Sequence, residues 1–406
     1  MGPMDGVRVI ELGVWVAGPA AGCILADWGA DVVKIEPPGV GDPARTFAKM
    51  FGGDLPFNPP FEMDNRGKRS IALDLACDAG REVFLELVEG ADVFVTNIRL
   101  EALRRLRIDP KTLAERCPRL VYGLITGYGM DGPEKDRAAY DIAAFWARSG
   151  LADSLAQEGQ APPFQRGGMG DHNAGLAAAG GISAALFARA RSGRGQLVST
   201  SLLREGLFTL SFDLSIGCRF GVGVQKADRR LMSNPAINAY QDSEQRWFWI
   251  VGLDGERHWP PLARAVGRPE WIDDARFATP EARARNAEEL IAALDQIFGT
   301  RTRAEWGETF DAEKDLWWAP VQSAEEVLAD PQAHAAGGFV EVPDGAGTTL
   351  LPATPVDFHE TPDGPRHLAP RHMAPETPGS DTDAVLRELG RDAAAIAELR
   401  ASGVVA

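Results

Sequence analysis

Apolar residues cluster in short runs over the first 126 positions, and helix-like stretches separate them. Val7–Leu12 reads as a buried strand. A helix starts at Gly18-Pro19, runs from Ala20 to Trp28 and is closed by Gly29; a second strand follows at Val32–Ile35. Strand, helix and strand within about thirty residues form a βαβ unit, which demands a parallel sheet. Ile71–Leu75, Ala91–Val95 and Leu120–Thr126 supply further strands. Asp78 caps a helix reaching Glu89, and another helix spans Leu100–Leu106. Residues 37–64, rich in Pro, Gly and Asp, read as loop. Beyond Gln196 the pattern changes. Leu197–Phe212 reads as a strand leading into an apolar helix, 213–236 as irregular, and Phe248–Val251 as a strand followed by helices near 256–266 and 286–297. Residues 337–381 are rich in Pro and Gly with short strands, and two short helices, 382–389 and 392–402, end the chain.

The expected fold is α/β: a Rossmann-like large domain with a parallel sheet, formed by 1–212 and 336–406, and a smaller α+β domain at 213–335. A chain of 406 residues, 45% hydrophobic and 25% charged, suits two such domains. The net charge of −16 argues against nucleic acid or an anionic membrane as partner. Four cysteines without metal-like spacing, no signal-peptide pattern and no long apolar run point to a cytoplasmic protein with reduced thiols. No histidine or cysteine grouping has metal-ligand spacing, so no metal is expected.

Chemistry concentrates at Gly167-Gly168-Met169-Gly170-Asp171-His172, ahead of a small-residue helix pattern ending near Gly193. Taken alone, Asp171 reads first as a helix cap. Glycines flanking a carboxylate nonetheless let a ligand approach closely, and backbone N–H groups at 170–173 are candidate oxyanion donors. Gly127–Gly132 matches G-x-G-x-x-G after a strand, but the polar Pro133–Arg137 replaces the helix that NAD binding requires. Phosphate-loop and G-x-S-x-G motifs are absent. Two basic groups, Asn65–Arg69 and Arg99/Arg104/Arg105/Arg107, are candidates for holding an anionic cofactor.

These segments in their order resemble the class III CoA-transferases, the formyl-CoA:oxalate and crotonobetaine/carnitine type related to α-methylacyl-CoA racemase. The resemblance rests on Leu12–Pro19, Ala26–Pro38, Asn65–Leu75, Ala91–Asn97, Ala139-Tyr140-Asp141, Gly170-Asp171, Ser192–Gln196 and Thr382–Gly390. It implies acyl-CoA and a carboxylic acid as substrates, coenzyme A as the carried group, and a homodimer of interlocked ring-shaped protomers. Asp171 then matches the nucleophile, which would carry aspartyl anhydride and aspartyl-CoA thioester intermediates. Tyr140 and Asp141 match active-site positions. Leu73, Leu75 and Ala76, with Asn97 and Arg105, match CoA-contacting ones.

Departures from the pattern inform specificity. The alternative, a 2-methylacyl-CoA racemase-like isomerase, would carry His where this chain has Tyr140. Val16 replaces an amide of the formyl-CoA enzyme, and Pro38 replaces an arginine near its adenine end. With Trp15, Val16, Tyr140, Phe145 and Trp146 near the presumed acyl pocket, the expected acyl group is medium-sized and apolar.

Overall fold

A computed structural model describes residues 2–47, 57–223, 226, 228–359 and 372–406. Six strands form one sheet: β1 (Arg8–Leu12), β2 (Asp31–Glu36), β3 (Lys68–Ala72), β4 (Val93–Thr96), β5 (Val121–Thr126) and β6 (Leu197–Ser201). Their order is β3-β2-β1-β4-β5-β6 and every pairing is parallel. This is the doubly wound order, whose direction of travel reverses between β1 and β4. Ligands bind in the crevice outside the carboxyl ends of strands at such a point. Strands at the centre are covered on both faces, so β1 from Val9 onward and all of β4 are continuously buried rather than alternating.

Helices α1 (Ala17–Asp27), α2 (Pro59–Asn65), α3 (Asp78–Glu89), α4 (Leu100–Leu106), α5 (Pro110–Arg116), α6 (Leu151–Ser154) and α7 (Met169–Ser192) accompany the sheet. Every residue of α1 is buried. It packs on α7 at the backbone: a Cβ at Gly175 would stand 2.8 Å from the Ala20 Cβ and 3.0 Å from the Ala21 nitrogen. Small residues on both helices therefore set the depth at which α7 lies, and with it the position of its first turn. The chain end returns to β3. Asp381 accepts from the Ser70 N–H at 2.8 Å, and the Asp74 N–H donates to the Val404 carbonyl at 2.9 Å.

The chain divides into two compact units, one of Met1–Ser154, Pro163–Val224 and Gln332–Ala406, the other of Leu155–Pro162 and Gln225–Pro331. The second is built on an antiparallel sheet of β7 (Ile237–Gln241), β8 (Trp247–Val251) and β9 (Trp318–Pro320). Its core is aromatic, with Tyr240, Phe248, Phe298, Trp306 and Phe310 in mutual contact. Among the described residues no helix is long and apolar enough to cross a membrane.

Three local expectations are corrected. The third strand lies at Lys68–Ala72 instead of 71–75, because Asp74 already turns toward the chain's end. Residues 37–64 are not all loop: Pro43–Thr46 forms a 3-10 turn and Pro59–Asn65 is α2. Nor are 213–236 all irregular, since the helices α8 (Leu202–Thr209) and α9 (Ser211–Phe220) continue through residue 220.

Candidate active site

The first turn of α7 is held from outside. Gly168 caps it with φ 79°, a conformation that costs glycine little, and contributes no side chain. The N–H of Gly170 donates at 3.0 Å to Asp141 Oδ2, so a carboxylate from another segment caps this helix in place of Asp171. A Cβ at Gly170 would overlap the Phe145 ring and Asp141 Oδ1, so only glycine fits beneath them. Asp141 is 8% exposed, and its Oδ1 is buried without a hydrogen-bond partner.

Asp171 is half-buried one residue further on. Burial pushes its carboxyl up to about 7; the negative charges of Asp141 and, more weakly, Asp64 add to this, and His172 opposes it. His172 Nε2 lies 2.9 Å from Asp64 Oδ1, on α2. Burial acts against the charged imidazole, but the hydrogen bond and charge of Asp64, then Asp171 and Asp141, outweigh it and raise His172 above its ordinary range. Three carboxylates and one imidazole thus meet at a helix start, and one of the carboxylates exchanges its proton near neutrality. Of the proposed amide donors at 170–173, Gly170 is engaged by Asp141, and the His172 N–H by the Gly168 carbonyl at 2.8 Å.

The loop after β1 faces this turn. Trp15 sits at φ 63°, a left-handed conformation rare for a side chain of its size. Its N–H donates to Asp42 Oδ1 at 2.9 Å. Asp42 in turn pairs with Lys34 at 2.8 Å, Lys34 with Glu11 at 2.9 Å, and Glu11 with Lys68 at 2.7 Å, all of them inside the protein. Burial alone would raise Glu11, but the two lysines hold it below its ordinary value. Asn97, at the end of β4, clamps the same loop, accepting from the Val14 N–H at 2.9 Å and donating to its carbonyl at 2.8 Å. Val16 and Trp15 pack on a small cluster of Ala44, Phe47, Phe61 and Ala374. Val16 also approaches the start of α7, its Cγ1 standing 3.7 Å from where a Cβ of residue 168 would be. Tyr140 is 65% exposed and meets the Trp15 ring edge-on at 6.0 Å.

Three clefts open around this frame. One, of about 710 Å³ including its mouth, is lined by Ala20, Cys23, Ile24, Met63 and Leu176, with Asp64, His172 and Asn173 as its polar side. A second, of about 660 Å³ and mostly apolar, lies over the ends of β1 to β4; Leu73 and Leu75 line it with Leu12, Ile35, Pro37 and Leu106. A third, of about 880 Å³, is lined by Asn97, Arg99, Lys135, Arg137 and Tyr140. Ala76 is exposed on the turn after β3, and Arg105 is exposed on α4, next to the lining Leu106. Asn97 reaches its cleft with its amide already committed to Val14.

The basic run Asn65–Arg69 is no cofactor patch. Arg66 pairs with Asp27 at 2.8 Å and Lys68 with Glu11 in the interior, and Arg69 pairs with Asp31 and Glu388 nearer the surface, so each charge already has a carboxylate partner. The second run differs: Arg99, Arg104, Arg105 and Arg107 have no ion-pair partner among the described residues. After Gly127–Gly132 no helix opens until Ile142, so these glycines do not build a dinucleotide turn. Sequence reasoning missed Asp64, Asp42, Lys135 and Arg137. A signal for Asp64 was present: Asn58 followed by Pro59 is a helix start, and the Asn58 side chain does accept from the Phe61 N–H.

Comparison with known proteins places these features in a family. The model of CoA-transferase family III matches residues 4–374. The (R)-2-hydroxy-4-methylpentanoate CoA-transferase of Clostridioides difficile is 31% identical, covering 99% of both chains. The cinnamoyl-CoA:phenyllactate CoA-transferase of Clostridium sporogenes is 34% identical over 82% of this chain and 81% of its own. A crystal structure of a CAIB/BAIF family protein from Brucella suis superposes with a TM-score of 0.81 at 30% identity, covering 96% of this chain and 99% of that one. A doubly wound sheet, a carboxylate poised at a glycine-lined helix start and this agreement along the whole chain have one meaning: the protein belongs to CoA-transferase family III, enzymes whose substrates are CoA thioesters and carboxylic acids.

Proposed function

We propose that this enzyme moves CoA between an acyl-CoA and a carboxylic acid through covalent intermediates on Asp171, and that both acids are medium-sized and apolar. The observation that carries the reading is the placement of Asp171. It is half-buried at the start of α7, flanked by residues that leave it approachable, with its proton held near neutrality. The ionised carboxylate attacks the donor thioester; the C–S bond breaks and CoA leaves as thiolate, giving an aspartyl anhydride. The thiolate then attacks the Asp171 carbonyl, releasing the donor acid and leaving an aspartyl-CoA thioester. The acceptor carboxylate attacks that thioester to form a second anhydride, and returning thiolate releases the new acyl-CoA and Asp171. Each exchange is nearly isoenergetic, so one hard step becomes several easier ones. Water has to be kept out, because the anhydride would hydrolyse.

Apolar acids are supported by the residues nearest the site. Val16, Trp15 and the cleft wall of Ile24, Met63 and Leu176 offer dispersion contacts and few hydrogen bonds. The two curated relatives are named for branched or aromatic acids, which suits this lining. Leu73, Leu75, Ala76, Asn97 and Arg105 are assigned to the nucleotide half of CoA, with Arg99 as a further cation. We assign the larger unit to CoA binding and read the assembly as an interlocked homodimer. Phe208, Phe212 and Phe220 on α8 and α9, each more than 70% exposed, are surface that a partner chain would cover. A monomer in ultracentrifugation at micromolar concentration would remove that assembly.

The test is a panel of acyl-CoAs and free acids, with new CoA esters identified by mass and an acyl or CoA adduct sought on the peptide carrying Asp171. We expect transfer between apolar partners and its loss in Asp171→Ala. Retained transfer in that variant would overturn the mechanism. Running the panel in D2O separates the racemase alternative, which would exchange the α-proton of a 2-methylacyl-CoA without a free acid.

A further inference from the structure

We propose that His172, tethered at Nε2 by Asp64, receives the carboxylate of the acceptor acid on its Nδ1–H and so positions that acid against the carbonyl carbon of the aspartyl-CoA thioester at Asp171. This rests on the reading of Asp171 as the nucleophile and assigns the acceptor's binding group, which that reading leaves open.

The geometry leaves one edge of this imidazole free for a ligand. Its Nε2 edge is fixed 2.9 Å from Asp64 Oδ1, whose side chain is only 5% exposed, so the ring is held in one orientation. Its Nδ1 has no hydrogen-bond partner among the described residues, and the His172 side chain is 47% exposed. That edge opens over Gly168. A Cβ there would stand 3.0 Å from the His172 Cε1 and 3.2 Å from Nδ1, and the same point is 3.7 Å from Val16 Cγ1. Glycine at 168 therefore does more than turn the chain into α7; it keeps the donor edge uncovered, between the imidazole and the β1 loop.

The electrostatics require a cation at this place. The acceptor is an anion approaching a site built of carboxylates. Acylation removes the charge of Asp171, but the Asp141 and Asp64 carboxyl groups stand beside it in a poorly solvated setting where repulsion of a second anion is strong. The ionisable groups facing His172 are Asp64 from α2, Asp141 from the segment before Ile142, and Asp171 from its own helix. All three are acids that favour the charged ring. In the adjoining cleft the Cys23 thiol is kept neutral by burial. The imidazolium thus supplies the positive charge the acceptor needs. In the step it serves, an acceptor oxygen forms a bond to the aspartyl-CoA carbonyl carbon as the C–S bond breaks. The electron pair leaves on the CoA sulfur, and no proton need move.

A mere clamp between α2 and α7 would use the same Asp64 bond, so the test separates acceptor from donor. Cinnamoyl-CoA and 3-phenyllactate are the first probe pair, replaced by the panel's best pair if that is another. In His172→Gln, KM for the acceptor should rise about 10- to 100-fold, the usual effect of losing a hydrogen bond to a charged group. KM for the donor should stay within about twofold at a pH where Asp171 is ionised in both proteins. The wild-type kcat/KM for acceptor should fall on the alkaline side as the imidazolium loses its proton, and this limb should be missing from His172→Gln. Asp64→Asn, which removes the charge favouring the imidazolium, should move the limb to lower pH. Equal changes in both KM values, or an alkaline limb that survives His172→Gln, would overturn the proposal. A wild type that transfers CoA to no acid at all would instead remove the reading of the function, so the two failures are distinguishable.

Discussion

Replacing Asp171 by asparagine should destroy transfer and at the same time stabilise the protein, in a pH-dependent way. The carboxyl titrates near 7 in the folded protein against an ordinary 3.8, because burial and Asp141 disfavour its charge. Between these values the unfolded chain has lost the proton and the folded one still holds it. The folded state therefore binds more protons, and stability falls as pH rises through this window. Below about 3.8 both forms are protonated and nothing is lost; above 7 the whole cost of the buried charge is present. The interval from 3.8 to about 7 corresponds to roughly 4 kcal/mol at full weight. Partial exposure of Asp171 screens this to about 1–3 kcal/mol. Asparagine keeps the shape without the charge, so Asp171→Asn should melt a few degrees higher than wild type at pH 8, and the gain should vanish near pH 4. Melting curves of the two proteins across this range, by circular dichroism at matched ionic strength, measure it directly. The same ionisation should give wild-type kcat/KM for the acyl-CoA an acid limb near 7. An asparagine variant no more stable at pH 8, or equally stabilised at both pH values, would show that the fold does not disfavour the charge of Asp171.

Three further outcomes follow from the same contacts. Gly170→Ala forces a methyl group into the Phe145 ring and Asp141 Oδ1, so it should cost about 1–3 kcal/mol of stability and most of the activity; a variant melting and turning over like wild type would refute the close approach. Glu11→Gln leaves Lys34 and Lys68 buried beside a neutral partner and should cost about 3–5 kcal/mol, read as a lower denaturation midpoint; an unchanged midpoint would mean the pairs carry no weight. Arg105→Ala should weaken CoA binding a few-fold, more at low than at high salt, in calorimetry with free CoA; affinity equal to wild type at every salt concentration would take Arg105 out of the CoA site.

The parallel sheet was legible because its signals are local. Val9-Ile10, Val32-Val33 and Val93–Val95 are apolar runs bounded by turns, and a strand buried on both faces needs no more than that. The small-residue pattern of α7 was equally plain, and so was the glycine run before Asp171. What the sequence concealed lies in pairings between distant positions. Lys68 and Arg66 read as a cationic patch because nothing near them in the chain reveals Glu11 and Asp27, which lie 57 and 39 residues away and neutralise them. Asn97, matched to a ligand contact, also closes its amide on Val14 across the reversal point of the sheet, a pairing that nothing near it in the chain reveals.

Charge placement explains why such a lattice belongs under this site. The β1 loop must hold Trp15 in a left-handed conformation to bring Val16 toward α7, and a conformation of that kind persists only when its surroundings fix it. Asp42 supplies the fixing hydrogen bond, and buried Asp42 is itself paired with Lys34 at 2.8 Å. Lys34 in turn needs Glu11, and Glu11 is shared with Lys68. A chain of buried ions thus runs from β3 through β1 and β2 to the loop that faces the nucleophile. It ties the geometry of the acyl side of the site to the register of the sheet, so a strand mispaired by one residue would misplace Trp15 and Val16 together.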